Sequence, residues 1–107
     1  MLVLLRFRVA EDEMLVFQSQ AHAALDTLAQ QRGYAEGFLG HNVDDPALWT
    51  VTTRWTDVGS YRRALSSHEV KVAAVPLLSR AVDEPSGFEV THGQQPISVG
   101  LDPGAAR

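Results

Sequence analysis

The chain has 107 residues, the length of one domain, with no cysteine and a formal net charge of −4. An acidic balance disfavours binding to nucleic acid phosphates, and the lack of thiols excludes disulfides, thiolate metal sites and cysteine nucleophiles. Because no apolar run approaches the ~20 residues of a membrane span, we expect no membrane partner and a cytoplasmic location.

The first third of the chain predicts a strand followed by a long helix. Leu2 to Val9 is dense in β-forming residues, with Leu and Val on both faces, so we expect both faces of this strand to be covered. From Met14 to Leu28, apolar residues recur at three- and four-residue spacing. Acidic residues precede this stretch and Gly33 follows it, which predicts one amphipathic helix over Glu11–Gln31.

The middle of the chain predicts a β-hairpin. Tyr34–Val43 and Leu48–Trp55 are both rich in aromatic and β-branched residues, which is typical of strands. Asp44, Asp45 and Pro46 lie between them and form a strong turn signal.

The last third predicts a broken helix and a short strand. Asp57 can cap a short helix, and the S-x-x-E spacing of Ser66 to Glu69 predicts the start of another. We expect that second piece to run toward Leu78, with Pro76 kinking or ending it. Phe88 to His92 is a final short strand.

The predicted order is therefore β-α-β-β-α-β, the α+β pattern of a ferredoxin-like fold. Its helices cover only one face of a four-stranded antiparallel sheet, yet strands one and three carry apolar residues on both faces. We expect a second copy of the chain to cover the other face, which makes a homodimer. The domain spans residues 1–92 and a Gly- and Pro-rich tail spans 93–107, where Ile97, Val99 and Leu101 alternate and could add a strand to the partner's edge.

Several short segments carry a family resemblance over roughly residues 2–92. They are Gly37-Phe38-Leu39, Trp49 to Trp55, Trp55-Thr56-Asp57 with Tyr61 beyond it, and Ser67-His68-Glu69. In these features the chain resembles the antibiotic biosynthesis monooxygenase (ABM) superfamily of dimeric α/β-barrel proteins.

The resemblance implies an oxygenase that uses no flavin, haem or metal, because in such proteins the deprotonated substrate itself reduces O₂. Trp55 and Tyr61 match the Trp and Tyr of the anthrone oxygenases in this family. Val51 stands where those enzymes have Asn, and no basic residue near Val75 replaces their Arg. In the haem-degrading branch, Phe7 and Val75 replace an Asn and the haem-ligating His, so the sequence disfavours haem degradation.

Five residues are the predicted site. We expect Trp55 to wall a pocket, and Tyr61 and His68 to act as the catalytic polar groups, with Asn42 and Phe38 as further substrate contacts. Asn42 and Phe38 share one strand face. A His in the first turn of a helix favours a neutral ring that could take or share a substrate proton. The structural alternatives are a core Trp55, a Tyr61 that rests at the seam between helix and sheet, and a solvent-facing His68.

The sequence predicts neither a metal nor a bound cofactor. Its four His residues show no i,i+3 or i,i+4 pairing, and no P-loop, G-x-G-x-x-G or G-x-S-x-G motif occurs. Two functions stay open, and with them the question of whether the chain is an enzyme. One is a cofactor-independent monooxygenase acting on a small aromatic or polyketide-type molecule. The other is a non-catalytic small-molecule-binding or regulatory dimer.

Overall fold

Four strands and four α-helices make up most of residues 1–94, the part of the chain that the computed structural model describes. The strands are β1 (Leu2–Arg8), β2 (Tyr34–His41), β3 (Leu48–Trp55) and β4 (Gly87–Phe88). The helices are α1 (Met14–Ala29), α2 (Val58–Ser66), α3 (His68–Ala73) and α4 (Val75–Leu78). Ile97, Val99 and Leu101, for which a strand was predicted, lie outside the described residues.

The four strands form one antiparallel sheet in the order β2-β3-β1-β4. With the helices packed on one face, this order is that of a ferredoxin-like α+β fold and confirms the predicted fold class. β3 lies beside β1 with Leu5 opposite Val51 and Phe7 opposite Trp49. Directly opposed residues point to the same face, so these side chains all lie beneath the helices.

The core lies between α1 and this face of the sheet. Four residues at three- and four-residue spacing are buried along α1: Phe17, Ala21, Ala24 and Leu28. The Phe17 ring contacts Phe7 and Trp49, with ring centroids 5.1 and 5.5 Å apart. Each large side chain buried here contributes roughly 1.5–3 kcal/mol to folding, so the aromatic cluster fixes α1 on the sheet.

A β-bulge at Ala35 determines which face Tyr34 occupies. Tyr34 lies opposite Trp55, whereas Glu36, two residues later, lies opposite Arg54. The extra residue reverses the normal alternation, so Tyr34 points toward the helices and Glu36 points away from them. Tyr34 is thereby placed against Trp55.

Three boundaries near the first helix and β2 differ from the sequence prediction. Glu11–Glu13 forms a separate 3-10 turn, so α1 starts at Met14 instead of Glu11. α1 also ends at Ala29, ahead of Gly33, which has φ +90°. β2 ends at His41 because the Asn42 side chain accepts hydrogen bonds from the next loop's amides.

Three further boundaries differ in the C-terminal third. The broken second helix has three pieces, not two, because Pro76 lies in the first turn of a separate α4. The capping residue of α3 is Ser67 instead of Ser66, and its hydroxyl accepts from the Val70 amide at 3.3 Å. β4 is Gly87–Phe88 instead of Phe88–His92. The predicted Leu48–Trp55 strand is confirmed at both ends.

The sheet face away from the helices, which we call the open face, is only partly apolar. Phe38, Thr52 and Leu4 form one row across it, and Phe38 is 61% exposed. The row beside it contains the ion pair of Arg54 and Glu36, with Nε and Oε2 2.8 Å apart. The expectation of apolar residues on both faces therefore holds better for β1 than for β3, whose open-face residues are Leu48, Thr50, Thr52 and Arg54.

Candidate functional site

The junction between β3 and α2 fixes the position of the site. Asp57 lies two residues after the end of β3, and its Oδ1 accepts from the Ser60 amide at 2.7 Å, so it is the N-cap of α2. This hydrogen bond lowers the pKa of the Asp57 carboxyl below its ordinary value. The charged cap also suits the positive end of the helix dipole. α2 therefore starts within three residues of Trp55, and its first turn lies beside that indole.

Trp55 is a core residue that backs the site instead of opening into it. Its side chain is 1% exposed, and its Nε1 donates to the Thr53 hydroxyl at 2.8 Å. Tyr34 and Tyr61 flank the ring, with centroids 5.4 and 5.5 Å away. Trp55 thus has few alternatives to its present rotamer, and it holds Tyr61 from behind.

Tyr61 is exposed on its other side to a cleft of about 320 Å³ between β1, α2 and α4. We call this the apolar cleft, and it is lined by Leu5, Tyr61, Leu65, Val75, Leu78 and Ser79. None of these side chains carries a charge. The cleft can therefore accept a flat apolar ring and offers it two hydroxyl groups.

The Tyr61 hydroxyl is free to bind a ligand. It makes no hydrogen bond within residues 1–94, and it is not among the polar atoms there that are shut off from solvent. Burial of the ring raises the pKa of Tyr61, so the phenol is neutral at physiological pH and can donate a hydrogen bond. The Ser79 hydroxyl, in contrast, already donates to the Pro76 carbonyl at 3.1 Å.

A second cleft of about 320 Å³ lies on the other side of Tyr61 and Leu65. We call it the edge cleft, and its lining is Met1, Val58, Tyr61, Arg62, Leu65, Gly87, Phe88 and Glu89. The four α2 members of this set are spaced i, i+3, i+4 and i+7, so they form one stripe on the helix surface. This stripe separates the two clefts, and Tyr61 and Leu65 belong to both.

The five predicted site residues do not all meet. Trp55 and Tyr61 are in contact, as expected. Phe38 lies on the open face of the sheet, and Asn42 lies in the loop after β2, where its Oδ1 accepts from the Asp44 and Asp45 amides at 2.8 and 2.9 Å. His68 is exposed in the first turn of α3 and does not line either cleft. Substrate contact by Phe38, Asn42 and His68 stays a prediction.

Most of the apolar lining was not singled out from the sequence. Leu5, Leu65 and Leu78 looked like ordinary core positions, because their spacing in strand or helix is that of buried residues. What leaves them partly open is the break between α3 and α4. The sequence signal for this break is Pro76, which cannot continue the preceding helix.

Trp49 carries a buried polar atom that nothing in residues 1–94 satisfies. The residue is 6% exposed, and its Nε1 has no hydrogen-bond partner there. The His41 ring is nearby, with centroids 5.1 Å apart. Neither residue lines either of the two clefts described above.

Metal-ligand clusters and membrane-spanning helices are both absent from residues 1–94. No group of three His, Asp or Glu side chains in this part of the chain could hold a metal ion. No helix in it is long and apolar enough to cross a membrane.

Comparison with solved structures supports the fold at low sequence identity. SnoaB from Streptomyces nogalater, a cofactor-independent oxygenase, is 22% identical, with a TM-score of 0.71 over 90% of this chain and 96% of that one. A protein from Deinococcus radiodurans is 14% identical, with a TM-score of 0.70 over 91% and 99% of the two chains. A conserved protein from Methanosarcina mazei is 20% identical, with a TM-score of 0.66 over 80% and 84%.

Sequence comparison gives the family. No curated protein matches the chain. Residues 1–75, however, match the sequence profile of antibiotic biosynthesis monooxygenases. The match includes β1 to β3, all of α2 and α3, and the residues Trp55 and Tyr61 that meet beside the apolar cleft. The chain belongs to the antibiotic biosynthesis monooxygenase family.

Proposed function

We propose that this protein is a cofactor-independent monooxygenase that oxidises a small aromatic or polyketide-type molecule in the apolar cleft. The observation that carries the proposal is the free, neutral hydroxyl of Tyr61 at the wall of an otherwise apolar space. Family membership and the likeness to SnoaB support the same reaction type.

The proposed oxygenation requires few groups from the protein. A ring methylene between two aromatic rings loses a proton to solvent water, since the cleft lining holds no base, and the resulting carbanion shares its charge with a phenol or carbonyl oxygen. O₂ then adds to that carbon; one oxygen atom remains there as a carbonyl and the other leaves as water with the two methylene hydrogens. The substrate supplies all the electrons.

Tyr61 would act where negative charge develops. A neutral phenol that donates a hydrogen bond to the substrate oxygen stabilises the anion more than the neutral substrate, and so favours proton loss. The surrounding leucine and valine side chains offer the substrate oxygen no competing hydrogen-bond partner. Trp55 holds the Tyr61 ring in place from behind. Tyr61 is therefore the proposed catalytic residue, and Trp55 is a positioning residue.

His68 has a secondary place in this proposal. It is exposed at the start of α3 and lines neither cleft. A direct role would require the substrate to extend out of the apolar cleft toward it. Asn42 and Phe38 lie farther from this reaction, on the loop and face described above.

We propose that the protein works as a homodimer. The open face carries Phe38, Leu4 and Phe88, all of them large and partly exposed. A second open face would cover them and would complete a dimeric α/β barrel. The cysteine-free composition is compatible with the cytoplasmic location that we propose for this dimer.

A non-catalytic ligand-binding dimer is the second candidate, and two observations favour it. The lining of the apolar cleft contains no carboxylate, histidine or other group that is a base at neutral pH. Val51 and Val75 also occupy the places where the anthrone oxygenases carry polar residues. Such a cleft can bind a ring without activating it.

Oxygen consumption separates the two candidates. The purified protein, without added flavin, haem or metal, should consume O₂ with anthrone-type substrates and release the corresponding quinone in equal amounts. The Tyr61→Phe variant should bind the substrate but oxidise it at least tenfold more slowly. Binding of anthrones with no protein-dependent O₂ consumption would support the ligand-binding candidate instead.

A further inference from the structure

We infer that the apolar cleft and the edge cleft form one ligand site, and that Arg62 makes it selective for aromatic molecules with a carboxylate substituent. The inference rests on the proposed function and names its substrate class. It concerns the edge cleft, which the proposed oxygenation itself does not use.

The two clefts meet at α2. Tyr61 and Leu65 line both of them, so a molecule that contacts Tyr61 from the apolar side lies one side chain away from the edge cleft. Each cleft has a volume of about 320 Å³. A fused ring system can therefore fill the first cleft while a substituent of it enters the second.

The edge cleft differs from the apolar cleft in charge. Its lining includes Arg62 and Glu89, whereas the apolar cleft has no charged side chain. Arg62 follows Tyr61 in α2, and both residues belong to the helix stripe that faces the edge cleft. A substituent that passes Tyr61 therefore meets the guanidinium group at once.

Arg62 is the unpaired side-chain cation of the edge-cleft lining. Within residues 1–94 its side chain forms no hydrogen bond and no ion pair, whereas Arg6, Arg8, Arg54 and Arg80 each pair with a carboxylate. Glu89 lines the same cleft but is more than 4.0 Å from the Arg62 nitrogens. The guanidinium can therefore bind an incoming carboxylate in a bidentate pair.

Gly87 keeps the opposite wall open. It lies opposite Val3, so a side chain at this position would point to the helix side of the sheet, into the edge cleft. A Cβ there would contact the Met1 side chain at 3.2 Å. Glycine thus leaves space for a substituent between β4 and α2.

The test uses a matched pair of inert product analogues, an anthraquinone monocarboxylate and the corresponding carboxamide. Titration calorimetry at low ionic strength should give a Kd for the carboxylate roughly two- to fivefold lower than for the carboxamide, which is the range for a partly exposed ion pair. Added salt should remove the difference, because it screens such pairs.

Four variants, one of them a control, locate the effect. Arg62→Gln should make the two Kd values equal, and Glu89→Gln should increase the preference for the carboxylate. Arg63→Gln is the control, because Arg63 donates to Ser60 and lines neither cleft. It should keep the preference of the natural protein. Tyr61→Phe should weaken both probes, because both occupy the shared site.

Four results would overturn the inference. Equal Kd values in the natural protein, or a preference that survives Arg62→Gln, would reject Arg62 as the selective group while the proposed function stands. If Arg62→Gln removed the preference for the carboxylate but Tyr61→Phe did not change binding, the probe would bind at the surface, and the apolar cleft and the edge cleft would not form one site. If neither probe bound, the proposed function would fail first and the inference with it.

Discussion

Trp55 and Thr53 lie two residues apart on the same face of β3, and the indole Nε1 of Trp55 donates to the Thr53 hydroxyl at 2.8 Å. Both residues are almost fully buried, at 1% and 3% exposure. The threonine hydroxyl is therefore the acceptor that allows a large aromatic residue with a polar atom to lie beneath α2.

Thr53→Val should destabilise the protein by ~1–3 kcal/mol, because it leaves a buried indole N–H without an acceptor. Trp55→Phe should lower the free energy of unfolding less in the Thr53→Val variant than in the natural protein, because the hydrogen bond between the two residues is already lost. Urea unfolding of the two single variants and the double variant measures this coupling. Thr52→Val, on the open face, is the matched control and should change the unfolding free energy little. Additive effects of the two substitutions would contradict a shared hydrogen bond.

Trp55→Ala should lower the stability of the protein, whereas Tyr61→Phe should weaken ligand binding and leave stability nearly unchanged. Trp55→Ala empties a fully buried site and should cost ~3–5 kcal/mol, which is much of the stability of a small domain. Tyr61→Phe removes one unpaired hydroxyl, so the melting temperature should stay nearly constant while the anthraquinone carboxamide binds more weakly. Thermal unfolding and calorimetry give both values. A Tyr61→Phe protein that binds this probe normally would remove the tyrosine from the site.

Gly33→Ala should destabilise the junction between α1 and β2. Gly33 has φ +90°, and an added Cβ would overlap the side chain of Ser60, which is buried in α2. The left-handed conformation alone costs an L-residue ~1–2 kcal/mol, and relieving the overlap adds to this. Gly59→Ala is the control, because its nearest neighbour is the flexible end of Arg63 at 3.2 Å. If both variants unfold at the same urea concentration, the conformational argument is wrong.

The Asp57 cap should make part of the stability depend on pH. Its pKa is lower in the folded protein than in the unfolded chain, chiefly because the carboxylate accepts from the Ser60 amide. The resulting stabilisation is complete above the unfolded pKa, about 3.9, and is lost as pH falls through the lower folded value. Asp57→Asn keeps a capping oxygen without the charge, so its melting temperature should decline less than that of the natural protein below about pH 4. If the melting temperatures of the two proteins decline equally as the pH falls below about 4, Asp57 does not have this role.

Light scattering at micromolar concentration should give twice the chain mass of 11.7 kDa. Phe38→Lys places a charge in the apolar row of the open face and should shift the protein toward the monomer. Leu15→Lys is the matched control: Leu15 is 83% exposed but belongs to α1, on the opposite side of the sheet. A monodisperse monomer of the natural protein, or dissociation by Leu15→Lys, would reject the open face as the dimer surface.

The sequence predicted the fold well because its signals are local and periodic. Alternation over Leu48–Trp55 and the spacing of apolar residues in α1 each depend on a few neighbours. The bulge at Ala35 depends on contacts between distant segments, so no pattern indicated it, whereas Pro76 indicated a break in the second helix but not the separate α4 that follows. For the same reason Tyr61 was found through its spacing from Trp55, whereas Leu5, which reaches the apolar cleft from another strand, was not.

The bulge at Ala35 also affects the outer border of the sheet. β2 is an edge strand, so its outward N–H and C=O groups are available to any extended chain that aligns with them. The extra residue breaks the regular spacing of those groups after Tyr34 and increases the local twist. Only Glu36–His41 keeps the even spacing that another strand could pair with, and Glu36 and Arg54 place charges at the start of that stretch. The irregularity that turns Tyr34 onto Trp55 thus also shortens the surface on which one molecule could recruit others into aggregates.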